Sequence, residues 1–281
     1  DVDRTDTDEP DAPGRTRREY CYNILVSGLD DDNGGSDTNI LVRFDVPNKR
    51  IDLVSLPRDT LLHNEYRNNK LNFAYAKGGT ELLMEQIENL LGVPVDFYVT
   101  VNLKGFIALV DQIDGVDFDI PINMDYDDPY QDLHIHFTKG PRHLNGQEAM
   151  EVVRFRHNND GTGYGTEDIG RIGTQQAFLK AVAKQLLQIG NVKNIPALVD
   201  IFYTYVKTDL TTGNLVWLGN EALNIGTENI HFATLPGDGS GYYNKQSVYV
   251  LDAQATCDLV NEALNPYNEA LTLEDMDILV P

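Results

Sequence analysis

YNILVSGLDDDNGGSDTNILVRFDVPNKRIDLVSLPRD, Tyr22 to Asp59, contains three short apolar runs separated by turn-forming residues. Tyr22 to Asp30 is an apolar run closed by Gly and Asp, which predicts a central strand. NILVRFDV and KRIDLVSLPRD predict a second and a third strand, joined through Pro47–Lys49 as a hairpin turn. Asp30, Asp37 and Asp59 then fall at strand ends or just beyond them, where open sheets usually carry their sites. The pair Arg58–Asp59 follows directly behind a buried apolar strand. Carboxylates clustered near phosphate-binding cations would suit Mg²⁺, a hard ion that takes oxygen ligands.

The rest of the chain alternates strands and helices without repeats. Thr80 to Leu91 predicts a helix ended by Gly92 and Pro94, after a small-residue stretch that Gly78–Gly79 punctuates. Asp96 to Leu103 reads as a strand, Gly105 to Ile113 as a helix and VDFDIPI as a strand. Asp125 to Leu144 reads as an irregular excursion, within which His134 and His136 alternate as exposed strand residues more readily than as a metal pair. Ile195 to Val206, Thr212 to Leu223 and Ser247 to Leu264 read as helices, and IHFATLPG as a late strand. One α/β domain with a mixed sheet is the simplest reading.

Asn145 to Gln176 is unusual in a chain of formal net charge −22, because it places Arg154, Arg156 and Arg171 close together. Read as extended, VVRFR points Arg154 and Arg156 to one face and Val153 and Phe155 into the core. A helix predicted from near Asp168, its N-cap, to near Gly190 puts Arg171 and Gln175 on one face. Its apolar face is Phe178, Leu179, Val182, Leu186 and Ile189, a stripe that fits a core or a lipid-lined pocket equally. Guanidiniums near a helix N-terminus suit phosphate or pyrophosphate.

The acidic balance argues against nucleic acid as a partner and against polybasic docking on lipid. No apolar run approaches the roughly 18 residues that span a bilayer. Residues 1–20 are a polar, Asp- and Pro-rich linker. Cys21 and Cys257 are compatible with a disulfide or with two thiols. There is no GxSxG, GxxxxGK[ST], HExxH or Gly-rich dinucleotide turn.

Four blocks together resemble the LytR-CpsA-Psr family of cell-wall glycopolymer ligases: NILVSGLD…GSDTNILV, IDLVSLPRDTLL, KLNFAYAKGG with LGVPVDFYVTVNLKGFIALVD, and LNGQEAMEVVRFRH…EDIGRIGTQQAFL. The resemblance implies one α-β-α domain, residues 21–281, with a central mixed β-sheet flanked by helices. It is expected on the extracellular face of the membrane, behind an anchor preceding the linker. The implied activity is transfer of a glycopolymer from a polyprenyl-pyrophosphate carrier to peptidoglycan, or in some members to a protein, assisted by Mg²⁺. By motif, Asp30 and Asp37 would hold the metal. Arg58, Arg154, Arg156, Arg171 and Gln175 would hold the pyrophosphate. Asp59 would organise Arg58 or serve as base, a role open to Asp37 as well. The family carries arginines where this chain has Gly35 and Thr174, with Lys70, Lys139 or Arg142 available in compensation. A lipid pyrophosphatase, a polyprenyl phosphate-binding protein and a surface interaction domain are the rival readings.

Overall fold

The structure is a computed structural model that describes residues 14–29, 34–130, 132–165, 167–188 and 195–281. The chain divides into two compact units, Asp1–Asn102 with Val206–Pro281, and Leu103–Tyr205. Along the chain lie β1 (Cys21–Leu29), β2 (Ser36–Asp45), β3 (Arg50–Leu56), α1 (Leu71–Leu91), β4 (Phe97–Val101) and α2 (Leu103–Gln112). β5 (Val116–Ile120), β6 (Met124–Asp128), β7 (Leu133–Phe137), β8 (Gly140–Leu144), α3 (Gly146–Arg154), α4 (Glu167–Gln188) and α5 (Ile195–Tyr205) follow. The chain ends through β9 (Val206–Thr208), α6 (Thr212–Ile225), β10 (Ile230–Thr234), β11 (Gly237–Tyr243), β12 (Gln246–Leu251) and α7 (Ala253–Ala263).

The first unit is built on a mixed six-stranded sheet of order β10-β3-β2-β1-β4-β9. β2 runs antiparallel between β1 and β3, while β4 joins β1, and β10 joins β3, in parallel. Successive residues of a strand face opposite sides, and both sides here are apolar. Leu25, Leu41 and Val54 pack with α1 and α7, through Leu83, Ile87 and Val260. Tyr22, Ile24, Phe44 and Phe97 pack with α6, through Leu218 and Ile225. Covering both faces makes the α-β-α arrangement and explains why these strands read as continuous apolar runs.

Two helix boundaries differ from the sequence reading. α1 starts at Leu71, so KLNFAYAKGG is mostly helical, and its axis breaks at Gly79, whose φ of 69° is open to glycine. Ser247–Leu251 is strand, not helix: β12 pairs antiparallel with β11, and α7 begins after its N-cap Asp252 accepts from the Ala255 N–H. Cys21 and Cys257 are buried free thiols. Burial pushes Cys21 up to about 11, which keeps it protonated at neutral pH.

The second unit packs α2, α3 and α4 over two short hairpin-like pairs, β5 with β8 and β6 with β7, around Ile120, Ile135, Phe155 and Phe178. The supposed excursion thus carries most of β6 and all of β7 and β8. Leu133, Ile135 and Phe137 are buried while His134 and His136 are exposed, as alternation predicts. Among the described residues, no helix is long and apolar enough to cross a membrane.

Candidate functional site

In the first unit the predicted residues gather at the end of the sheet where β1 and β3 finish and β2 begins. The register aligns Leu29 with Ser36 and Asn39 with Leu56, so Asp37 and the Pro57–Asp59 turn share that end. The turn is fixed by its backbone: Thr60 N–H donates to Pro57 O, Asn72 N–H to Arg58 O and Tyr249 N–H to Asp59 O. Arg58 pairs with the Asp37 carboxylate through Nη1. Its Nε lies 3.8 Å from Asp59 Oδ1, and Lys70 Nζ lies 3.0 Å from the same oxygen. Carboxylates and cations thus alternate as Asp37, Arg58, Asp59, Lys70, each about a fifth to a third exposed. The ion pairs hold the four side chains against one another while each stays partly open to solvent.

Ser36 Oγ and Asn72 Oδ1 at this end are buried without a hydrogen-bond partner, and the buried Asp59 Oδ1 has only its ion pairs, with Lys70 Nζ at 3.0 Å and Arg58 Nε at 3.8 Å. These orphaned oxygens, at the sheet end that also carries the Asp37 carboxylate, are of the donor type that Mg²⁺ takes. Neither Ser36 nor Asn72 was expected in the site, although both sit inside the blocks that carry the resemblance. Asp30, the other expected ligand, lies outside the described residues.

In the second unit VVRFR is not a strand. Asn145 accepts from the Glu148 N–H, and Glu148 accepts from the Asn145 N–H, forming a capping box that starts α3. Ala149 and Val152, three apart, are buried on one helix face. The helix runs through Arg154, and Phe155 turns extended with ψ of 132°. Phe155 is buried, as expected, and Val153 packs against the same core. Arg154 and Arg156 therefore flank a helix end instead of lining one strand face. Arg154, half-buried in the last turn, is well placed against the negative end of the helix dipole. Arg156 is exposed.

α4 starts at Glu167, so Asp168 is inside the helix and not its N-cap. Arg171 is half-buried, and burial pushes the nearby Tyr164 phenol above its usual range, with Arg171 and Thr174 opposing. Tyr164 stacks edge-on against Phe155, 5.6 Å between centroids. A Cβ at Gly170 would lie 2.3 Å from Tyr164 Cβ, so this glycine admits the ring against α4. Gln175 donates to Val153 O at 3.1 Å, closing one of the unpaired carbonyls at the end of α3. Of the predicted stripe, Phe178 is buried and Val182 packs on the core, Leu186 is exposed, and Ile189 lies outside the described residues. Arg142 is committed to Glu148 at 2.7 Å and to the face of Phe137.

A helix-covered mixed sheet with an alternating Asp–Arg–Asp–Lys chain at one strand end defines an α/β protein with a charged cluster at that end. The chain matches the LytR_cpsA_psr family over residues 3–265 and belongs to it. It is 32% identical to the polyisoprenyl-teichoic acid–peptidoglycan teichoic acid transferase TagV of Bacillus subtilis, over 84% of this chain and 61% of TagV. It is also 32% identical to the enzyme of the same description, TagU, of Bacillus cereus, over 85% of this chain and 76% of TagU. The crystal structure of Bacillus subtilis TagV superposes with a TM-score of 0.74 at 26% identity, covering 94% of this chain and all of that one. The chain thus spans less than two thirds of full-length TagV.

Proposed function

We propose that this protein is a phosphotransferase that moves a glycopolymer from a polyprenyl-pyrophosphate carrier to peptidoglycan at the extracellular face of the membrane. The observation that carries the reading is the Asp37–Arg58–Asp59–Lys70 chain, fixed at the sheet end and open to solvent. Membership of the family and the activity named for TagV and TagU support the same class of substrate.

In this reading Arg58 and Lys70 bind phosphate oxygens through donors that their paired carboxylates hold in place. Arg154, Arg156, Arg171 and Gln175 are assigned to pyrophosphate on the family motif alone. An acceptor hydroxyl attacks the sugar-linked phosphorus. The phosphorus–oxygen bond to polyprenyl phosphate breaks, and that phosphate leaves with the bonding pair. The hydroxyl proton passes to a carboxylate. Asp59 lies between Lys70 and Arg58 and is assigned to organise them, which leaves Asp37 as the proton acceptor or as a metal ligand with Asp30, Ser36 and Asn72. Bound Mg²⁺ would neutralise charge on the pyrophosphate oxygens. Catalysis of this type is mostly positioning and charge neutralisation.

The test is turnover of a polyprenyl-pyrophosphate-linked oligosaccharide with peptidoglycan, with and without Mg²⁺, in wild type, Arg58→Ala and Arg171→Ala. Product on peptidoglycan, lost in both variants, is the expected result. Release of free oligosaccharide phosphate would make water the acceptor and the protein a pyrophosphatase. Binding without any turnover would make it a carrier-binding protein.

A further inference from the structure

The β6–β7 hairpin carries a side-chain cluster that the transferase reading does not use. β6 and β7 pair with Asp127 opposite His134 and Asp125 opposite His136. Leu133, Ile135 and Phe137 are buried, which fixes the strand and turns both imidazoles to the same outer face. One oxygen, Asp127 Oδ1, lies 2.5 Å from His134 Nδ1 and 3.4 Å from His136 Nε2. Asp127, His134 and His136 each offer a donor atom within 4.8 Å of the other two.

We infer that Asp127, His134 and His136 form a surface site for a borderline divalent transition metal, with Zn²⁺ as the representative ion. The donor set is two imidazole nitrogens and one carboxylate oxygen, which suits Zn²⁺, Cu²⁺ or Ni²⁺ and is poor for the all-oxygen preferences of Mg²⁺ and Ca²⁺. Ligands at about 2.0–2.1 Å from a tetrahedral ion stand about 3.3 Å apart, so the 3.4 Å pair is already spaced for it. The 2.5 Å pair opens by roughly an ångström through side-chain rotation at exposed positions. Asp125 Oδ1 accepts from His136 Nδ1 at 2.8 Å, the outer carboxylate that fixes a ligand imidazole so that its other nitrogen faces the ion. One further position remains for water.

The backbone is held for the purpose from the other side as well. Asp125 N–H donates to Asn158 Oδ1, Asp127 N–H donates to Asn159 Oδ1, and Asn159 Nδ2 donates to Asp127 O. An ion there would therefore join β7 to β6, the strand to which the Asn158–Asn159 turn after Arg156 is hydrogen-bonded.

The plain alternative is a row of cross-strand ion pairs, and the molecule supplies its own control. His143 faces Asp117 at 2.7 Å across β5 and β8, the same pairing with a single histidine. Titration of the whole chain with Zn²⁺ by calorimetry, in excess Mg²⁺, should show one bound equivalent. His134→Gln or His136→Gln should abolish it, Asp125→Asn should weaken it by about 10- to 100-fold, and His143→Gln should leave it unchanged. The substituted side chains are exposed, and unchanged far-ultraviolet circular dichroism verifies folding. Absence of Zn²⁺ binding in wild type, binding that survives His136→Gln, or binding that His143→Gln removes would each overturn the site.

Discussion

The two ends of the central sheet carry the same chemistry and use it differently. At the end where β1 begins, Arg43 pairs with Asp52 at 2.8 Å, with 4% and 2% of the side chains exposed. Arg50 grips the same carboxylate at 2.7 Å, and Arg43 and Arg18 both donate to Asn265 O. At the opposite end Arg58 pairs with Asp37, with 28% and 34% exposed. The first pair is sealed under the C-terminal segment, where Arg43 donates through Nη1 to Asn265 O and through Nη2 to Asp52. The second keeps donors for something else. An arginine–aspartate pair is therefore evidence of a site only when its remaining donors reach solvent.

The largest effect that would break this distinction is on stability. Asp52→Ala leaves Arg43 buried without its carboxylate, and removal of one partner of a buried pair is strongly destabilising, about 3–5 kcal/mol. Asp37→Ala, at the exposed pair, should change the unfolding free energy by no more than about 1 kcal/mol. Urea unfolding of both variants measures the contrast. Equal losses would mean that both pairs are structural.

Function should show the reverse order. Arg58→Ala removes a preorganised donor from the open end and should lower transfer by about 100-fold while the protein stays folded. Arg50→Ala, exposed in part but bound to Asp52 and Glu262, should leave transfer unchanged. Comparable activity in the two variants would erase the difference between the ends.

These contrasts mark what sequence could and could not reveal. β1, β2 and β3 are legible because strands covered on both faces are continuous apolar runs between turn residues, and Asp37, Arg58 and Asp59 are legible as polar residues just beyond them. α3 is not, because VVRFR has the β-branched and aromatic composition of a strand. The decisive signal, Asn145 with Glu148 three residues on, lies upstream of it. Of the β6–β7 hairpin only the β7 alternation of Leu133, Ile135 and Phe137 was legible, because β6 sets just Met124 and Tyr126 among acidic residues. Ser36 and Asn72 carry no compositional signal at all, since an orphaned oxygen is a property of packing. Arg43 lies inside β2 and Arg58 just beyond β3, a difference the sequence shows, whereas the burial of one and the exposure of the other are properties of packing.

A smaller effect sharpens the reading of the second unit, where Arg171 follows the close approach of Gly170 to Tyr164. Alanine normally gains up to about 1 kcal/mol over glycine inside a helix. Here its Cβ would meet Tyr164 Cβ at 2.3 Å, and overpacking of about 1–3 kcal/mol outweighs that gain. Gly170→Ala should therefore lower the denaturation midpoint, and in a Tyr164→Gly background it should raise it. Absence of that sign reversal would remove Tyr164 from the account of how α4 is seated.

The smallest effect concerns Gly35 and Thr174, the two positions where the resemblance implies arginines. Gly35 has open space: a Cβ would touch only Asn72 O, at an ordinary 3.6 Å, and its φ is not in the left-handed region. Thr174 is 5% exposed, and its hydroxyl donates to Gly170 O at 3.1 Å. Gly35→Arg should fold normally and place a third cation beside Arg58 and Lys70, tightening a polyprenyl pyrophosphate by about two- to fivefold at low salt. The gain should shrink as ionic strength rises, because the added charge is exposed. Thr174→Arg should instead destabilise the protein, since a long cation has to enter a buried position already satisfied by a hydroxyl. Restoration of affinity at one position and loss of stability at the other would show that the sheet end kept room for its missing cation while α4 repacked around the loss.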